Sequence, residues 1–305
     1  MATPYLATPR RPYKFLFNVG GWSGLCPSQS IEVYDIRSGS WKSFELFIPI
    51  PLAYHATVNI GAHVYLVGGL IQNEASIQHC SRSCYKINLN KGVISEMCPM
   101  MQRRNFVSLA NIGNSLYAIG GKSDVAEHSR LRTCEKLDIN ESVPKWVKIK
   151  SMKVTRSDAG VAVIDAQIFI VGGFDGATVH RSIEVYNPTD NKWYQYPEMM
   201  CRRVGVSCAE FRGELYVVGG SDGISRLRSV EKFSPTTKKW TVLSPMSFPR
   251  SNHGLCVVEG KLFALGGYDG VKVTDNVEYY DFELDKWFRT DPLLACLLYT
   301  SDAAD

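Results

Sequence analysis

The sequence predicts an all-β fold, a six-bladed propeller in which each blade is a four-stranded antiparallel sheet. Three observations predict it. A glycine pair closing an alternating apolar run occurs six times, in 15–21, 64–69, 116–121, 168–173, 215–220 and 262–267. The first glycines of successive pairs stand 48, 52, 52, 47 and 47 residues apart. An aromatic residue and a tryptophan then return at fixed offsets behind the glycines. A period near fifty with this punctuation fits one sheet per repeat, each unable to bury its faces without a neighbour.

The glycine pairs are Gly20-Gly21, Gly68-Gly69, Gly120-Gly121, Gly172-Gly173, Gly219-Gly220 and Gly266-Gly267. The run into each pair, such as Leu215-Tyr216-Val217-Val218, suits a strand packed between blades. A glycine pair ends it where backbone must approach backbone or take a positive φ. Fourteen residues after the first glycine come Tyr34, Tyr186, Phe233 and Tyr280, and seven further on Trp41, Trp193, Trp240 and Trp287. Glutamate precedes each aromatic by two, at Glu32, Glu184, Glu231 and Glu278. The third repeat keeps Glu135 and Trp146 but has Leu137 in the aromatic slot; the second has Tyr85, with Ile94 as the nearest substitute for the tryptophan. These large side chains supply buried area between blades. Asp-Gly at 175–176, 222–223 and 269–270 marks the turn leaving the inner strand.

From 13 to 294 the chain resembles the kelch-like family, on the glycine pairs, the glutamate–aromatic–tryptophan register and phrases such as Gly20-Gly21-Trp22-Ser23-Gly24, Ala53-Tyr54-His55 and Arg250-Ser251-Asn252. The resemblance implies a propeller that binds a protein and catalyses nothing. It further implies BTB and BACK domains ahead of the propeller, which dimerise and hold a cullin-3 ubiquitin ligase while the propeller captures the substrate. On that reading residues 1–12 are the linker after the BACK domain, and cullin-3 is reached only through those upstream domains. Some kelch proteins bind actin instead, which is the alternative function.

Sixteen residues before the first glycine of repeats two to six stand Leu52, Arg104, Arg156, Arg203 and Arg250. If these strand starts line the mouth of the central channel, four guanidinium groups ring one opening, where their donor forks suit carboxylates. The resemblance agrees, because arginines at this register in kelch-like adaptors can contact acidic substrate segments. The competing reading is that they satisfy carbonyls and hold the blades together. Two residues further on the slot varies, as Tyr54, Phe106, Asp158, Gly205 and Asn252, which favours recognition. His55 and His253 follow it and are expected to add polar contacts, and Trp22 is a candidate anchor that could equally pack on Leu25. Loops 72–83 and 122–133 are longer than their counterparts and predict a raised rim.

Other chemistry is set aside. The net charge of +4 is evenly spread, without the basic tract that tracks nucleic acid, and no apolar run is long enough for a membrane helix. Nine irregularly spaced cysteines predict free thiols in a reducing cytoplasm, against which stands only the sequon Asn140-Glu141-Ser142. His79, Cys80 and Cys84 lack a second pair with zinc spacing. Cys201 beside Arg202 and Arg203 could be an activated thiol but reads better as inert. A copper redox enzyme on the same scaffold needs converging histidines, tyrosines and a cysteine, of which only His55 and His253 fall near the mouth. No cofactor and no metal are expected.

The register fails at the end of the chain. Pro292-Leu293 matches Pro245-Met246, but an arginine due at 297 is Leu297. Residues 295–305 therefore read as a non-matching tail, similar to translated cloning or adapter sequence, which predicts a ring left open for want of its closing strand.

Overall fold

In the computed structural model, residues 15–294 are described apart from 24, 25, 37, 74, 75 and 125–128, together with the backbone of 301–304. Every strand is antiparallel to its neighbours, and the main sheets are six blades of four strands. The fourth blade is typical: Gly160–Ile164 lies nearest the axis, followed by Gln167–Val171, Ile183–Asn187 and Lys192–Tyr196 at the outside. The strand running into each glycine pair is thus second from the axis. It is buried on both faces from Ile168 to Val171, because blades pack on either side of it. The outermost strands, such as Lys239–Leu243, alternate toward solvent.

The glycines are explained by the neighbouring blade. Gly172 has φ +64°, and a Cβ there would lie 2.3 Å from the carbonyl oxygen of Arg203, which belongs to the next blade. Gly173 donates its N–H to that same oxygen at 2.7 Å. The tryptophans clasp in the other direction: the indole Nε1 of Trp146, Trp193, Trp240 and Trp287 donates to Cys98, Lys150, Pro197 and Ser244 of the preceding linker, at 2.7–3.1 Å. Leu137, in the slot that elsewhere is aromatic, is fully buried between the second and third blades.

The ring closes, which corrects the expectation of an open one. Strand Ser301–Ala304 pairs antiparallel with Phe15–Val19, so the end of the chain completes the first blade. The non-matching sequence does not prevent this, because a β-ladder is made by backbone groups. The seam is also clasped by side chains: Trp41 Nε1 donates to the Asp291 carbonyl at 3.3 Å, and Tyr34 shares a hydrogen bond with Thr290 at 2.9 Å. Leu16, Phe263, Leu265 and Leu293 are packed in one buried cluster at that junction. Residues 1–12 and 295–300 lie outside the described residues.

Candidate functional site

The four arginines do not ring the opening. Arg104, Arg156, Arg203 and Arg250 are at most 1% exposed, each threaded into its own blade. Arg203 is representative: Nη1 donates to the carbonyls of Gly219 at 2.6 Å and Ser229 at 3.1 Å, and Nη2 to the Glu231 carboxylate at 2.8 Å. Arg104, Arg156 and Arg250 pair likewise with Glu135, Glu184 and Glu278. The carboxylates also organise the incoming linker, Glu231 accepting the N–H groups of Met200 at 2.8 Å and Cys201 at 3.3 Å. With both Nη groups of each engaged inside the blade and almost no exposure, these side chains hold the sheet together and present nothing to a partner. That corrects the arginine reading in favour of its competitor.

The slot two residues on does form the mouth. Tyr54, Phe106, Asp158, Gly205 and Asn252 all have positive φ, between 49° and 61°. The N–H of each of the last four donates to the carbonyl of the one before, at 2.8–3.1 Å, from blade to blade. This belt of backbone bonds holds even bulky residues in the left-handed region, which costs roughly 1–2 kcal/mol for each non-glycine residue. The side chains divide the opening into two halves. Trp22 stacks on Tyr54 at 6.1 Å between centroids, and Tyr54 packs on Phe106 at 4.2 Å. All three rings are half-buried. Opposite them the Asn252 amide donates to Asp158 at 3.1 Å, passing over Gly205, where a Cβ would lie 2.6 Å from Asn252 Oδ1. Burial and the Asp158 carboxylate push the Tyr54 hydroxyl up to about 12, and burial raises the Asp158 carboxyl above the usual range.

His55 and His253 lie beneath the belt, at most 2% exposed, and add no polar contact at the surface. Burial drives His55 down to about 4. His253 falls well below its ordinary value through burial and the nearby Arg250 charge, and both its ring nitrogens lack a hydrogen-bond partner. Below them the inner strands enclose a channel of about 370 Å³. Leu25, the alternative partner of Trp22, lies outside the described residues.

The loops after the glycine pairs share this face, and in the second to sixth blades each is bridged to the linker of its own blade, as Ser157 with Phe174 and Ser251 with Tyr268. In the second blade the long loop forms a hairpin, Leu70–Gln72 with Gln78–Cys80, and Asp124 of the third blade accepts the Cys80 N–H at 2.8 Å. In three later blades Asp175, Asp222 and Asp269 each accept two N–H groups of their own turn, and two of these turns hold up exposed Ile224 and Val271. The long loop of the third blade includes 125–128, outside the described residues. Cys201 is exposed, and among the described residues no three His, Cys, Asp or Glu side chains converge on a common point.

A match to the KLHDC2/KLHL20/DRC7 Kelch-repeats domain covers residues 54–248, and the Kelch motif matches 16–44 and 249–292. The chain belongs to the kelch-repeat family. Its kelch repeats are similar to those of spermatocyte protein spe-26 of Caenorhabditis elegans, 30% identical over 62% of this chain and 33% of that protein. They are equally similar to kelch repeat-containing protein kel-10 of the same organism, 30% identical over 61% of this chain and 32% of that protein. Mouse kelch-like protein 36 is 25% identical over 58% of this chain and 28% of its own length. The matched region spans about one third of the length of the worm relatives. A kelch propeller is a protein-interaction domain. Beside the mouth the loops also bring together Arg130 with Phe174 and Arg226 with Tyr268, pairs not expected from the sequence. The signal for the rings was the position two past each first glycine, which holds Trp22, Leu70, Lys122, Phe174, Ser221 and Tyr268.

Among the described residues no helix is long and apolar enough to cross a membrane.

Proposed function

We propose that this kelch propeller captures a protein substrate at the channel mouth as the receptor part of a cullin-3 ubiquitin ligase adaptor, acting by binding and not by catalysis, in the cytoplasm. The observation that carries the capture reading is the half-exposed row Trp22–Tyr54–Phe106, in which Tyr54 and Phe106 stand on the backbone belt and Trp22 stacks on Tyr54. Aromatic rings fixed in advance lose little entropy on binding and are frequent anchors of protein interfaces. The kelch and BTB relatives, one named kelch repeat and BTB domain-containing protein F47D12.7, support the adaptor half.

Affinity capture from cytosol, read by mass spectrometry, tests the site with Tyr54→Ala and Phe106→Ala as controls of matched melting temperature. Partners present with the parent and lost with both variants are the expected result. Partners retained equally would overturn the mouth as the site, and enrichment of actin alone would favour a cytoskeletal role. The ligase half is tested on the full-length protein, where cullin-3 is expected to co-purify and its absence would overturn that half.

A further inference from the structure

The innermost strands of five blades share a side-chain pattern, and the closing strand of the first blade departs from it. The second strand of every blade carries an aromatic residue three before its first glycine: Phe17, Tyr65, Tyr117, Phe169, Tyr216 and Phe263. Opposite it the inner strands of the second to sixth blades place Val58, Ala110, Ala162, Ala209 and Cys256, all uncharged and none larger than valine. Two residues on, the same strands end on Ile60, Ile112, Ile164, Phe211 and Val258, none smaller than valine. All ten belong to, or pack on, the apolar clusters between blades. In the first blade the ladder from Ser301–Ala304 sets Asp302 opposite Phe17 and Ala304 opposite Phe15. Phe17 belongs to the apolar cluster with Val19, Ile31 and Leu66, and Phe15 packs against it. The register therefore assigns an acidic residue to a position that is apolar in the five other blades, and an alanine to one that is large in all of them.

We infer that the inner edge of Phe15–Val19 is a strand-acceptor site that takes an extended segment of a separate chain, with a small apolar residue opposite Phe17 and a large one opposite Phe15, in place of Ser301–Ala304. The site is apart from the mouth and does not rest on the capture reading. An added strand makes its ladder through backbone groups whatever its sequence, and alternate side chains supply the selectivity. The tail and an incoming segment therefore gain the same ladder, and the two side-chain positions decide between them. Bringing a carboxylate between apolar blades costs hydration, and alanine in place of isoleucine forgoes apolar burial. A second copy of this chain brings the same Asp302 and Ala304 and gains nothing over the first, which leaves a segment of different sequence as the occupant.

The test uses the whole chain and a fluorescent peptide of the fourth blade's inner strand with its flanks, 159–165, which carries Ala162 and Ile164 at the two positions. A control peptide with Ala162→Asp and Ile164→Ala reproduces the closing strand at both. Anisotropy should show the parent chain binding the first peptide about tenfold or more tightly than the control. Hydrogen exchange should then quicken at Ser301–Ala304 and stay slow at Phe15–Val19, since one ladder replaces another. Asp302→Ala/Ala304→Ile should raise the melting temperature by a few degrees and weaken peptide binding about tenfold or more, because the chain's own strand then fits. Equal binding of the two peptides, binding without faster exchange at Ser301–Ala304, or a double variant that binds as the parent does would overturn the inference. So would the absence of binding, or a dimer of the chain that excludes the peptide, which would make a second copy the occupant.

Discussion

At the scale of single residues, the arginines differ in what their loss should cost. Arg203 sits with Glu231 at no exposure, so truncation leaves a carboxylate buried without its cation. Arg203→Ala is expected to destabilise the fold by about 3–5 kcal/mol, against less than about 0.5 kcal/mol for half-buried Arg226→Ala, as read by urea unfolding. The difference was partly legible in the sequence. Where the second repeat replaces the arginine with Leu52, its glutamate slot holds Ser83, so the two residues leave together. That is the mark of a pair within one blade, whereas variation at the next slot belongs to the surface. Their burial was not legible, because the period gives the position along the strand and not how far the linker folds over it. Histidine burial was hidden for the same reason. His55 titrates near 4 in the folded protein and near 6.5 when unfolded, so the unfolded chain alone takes up a proton between those values. Stability is therefore full above pH 6.5 and falls as the pH drops toward 4, by on the order of 3 kcal/mol. His55→Val, matching Val107 and Val206 at the same register, should flatten that part of the stability–pH curve.

At the scale of elements, strands were legible and loops were not. Alternation and glycine pairs place the second strand of each blade from Phe15–Val19 to Lys261–Leu265, since they report burial on both faces directly. Loop length announced a rim in the second repeat, but not that the loop would pair with itself or lean on the third blade. The lean on the third blade joins residues 44 apart, where sequence spacing carries no period. The Asp124 carboxylate is the pin. Asp124→Ala is expected to speed hydrogen exchange at the Cys80 amide while leaving the melting temperature in place, because an exposed loop opens without the blades. Unchanged exchange at Cys80 would mean the hairpin holds its position alone.

At the scale of the whole molecule, stability depends on closure, because each blade buries its faces only against neighbours and an open ring exposes two faces and a sheet edge. Two devices meet at the seam between the first and sixth blades: the ladder from Ser301–Ala304 to Phe15–Val19, and the Trp41 and Tyr34 clasp to Asp291 and Thr290. The clasp repeats what the other tryptophans do and was implied by the register; the ladder was not, since its residues break the pattern they complete. Deleting residues 301–305 separates the two contributions. With the ladder gone, Phe15–Val19 becomes an edge with unpaired backbone groups, so the melting temperature should fall by several degrees in calorimetry. Light scattering should then show association that grows with protein concentration. If the melting temperature holds and the protein stays monomeric, the side-chain clasp alone closes the ring. In that case Trp41→Phe, which keeps the ring area but removes the indole donor to Asp291, should produce the loss that the deletion did not.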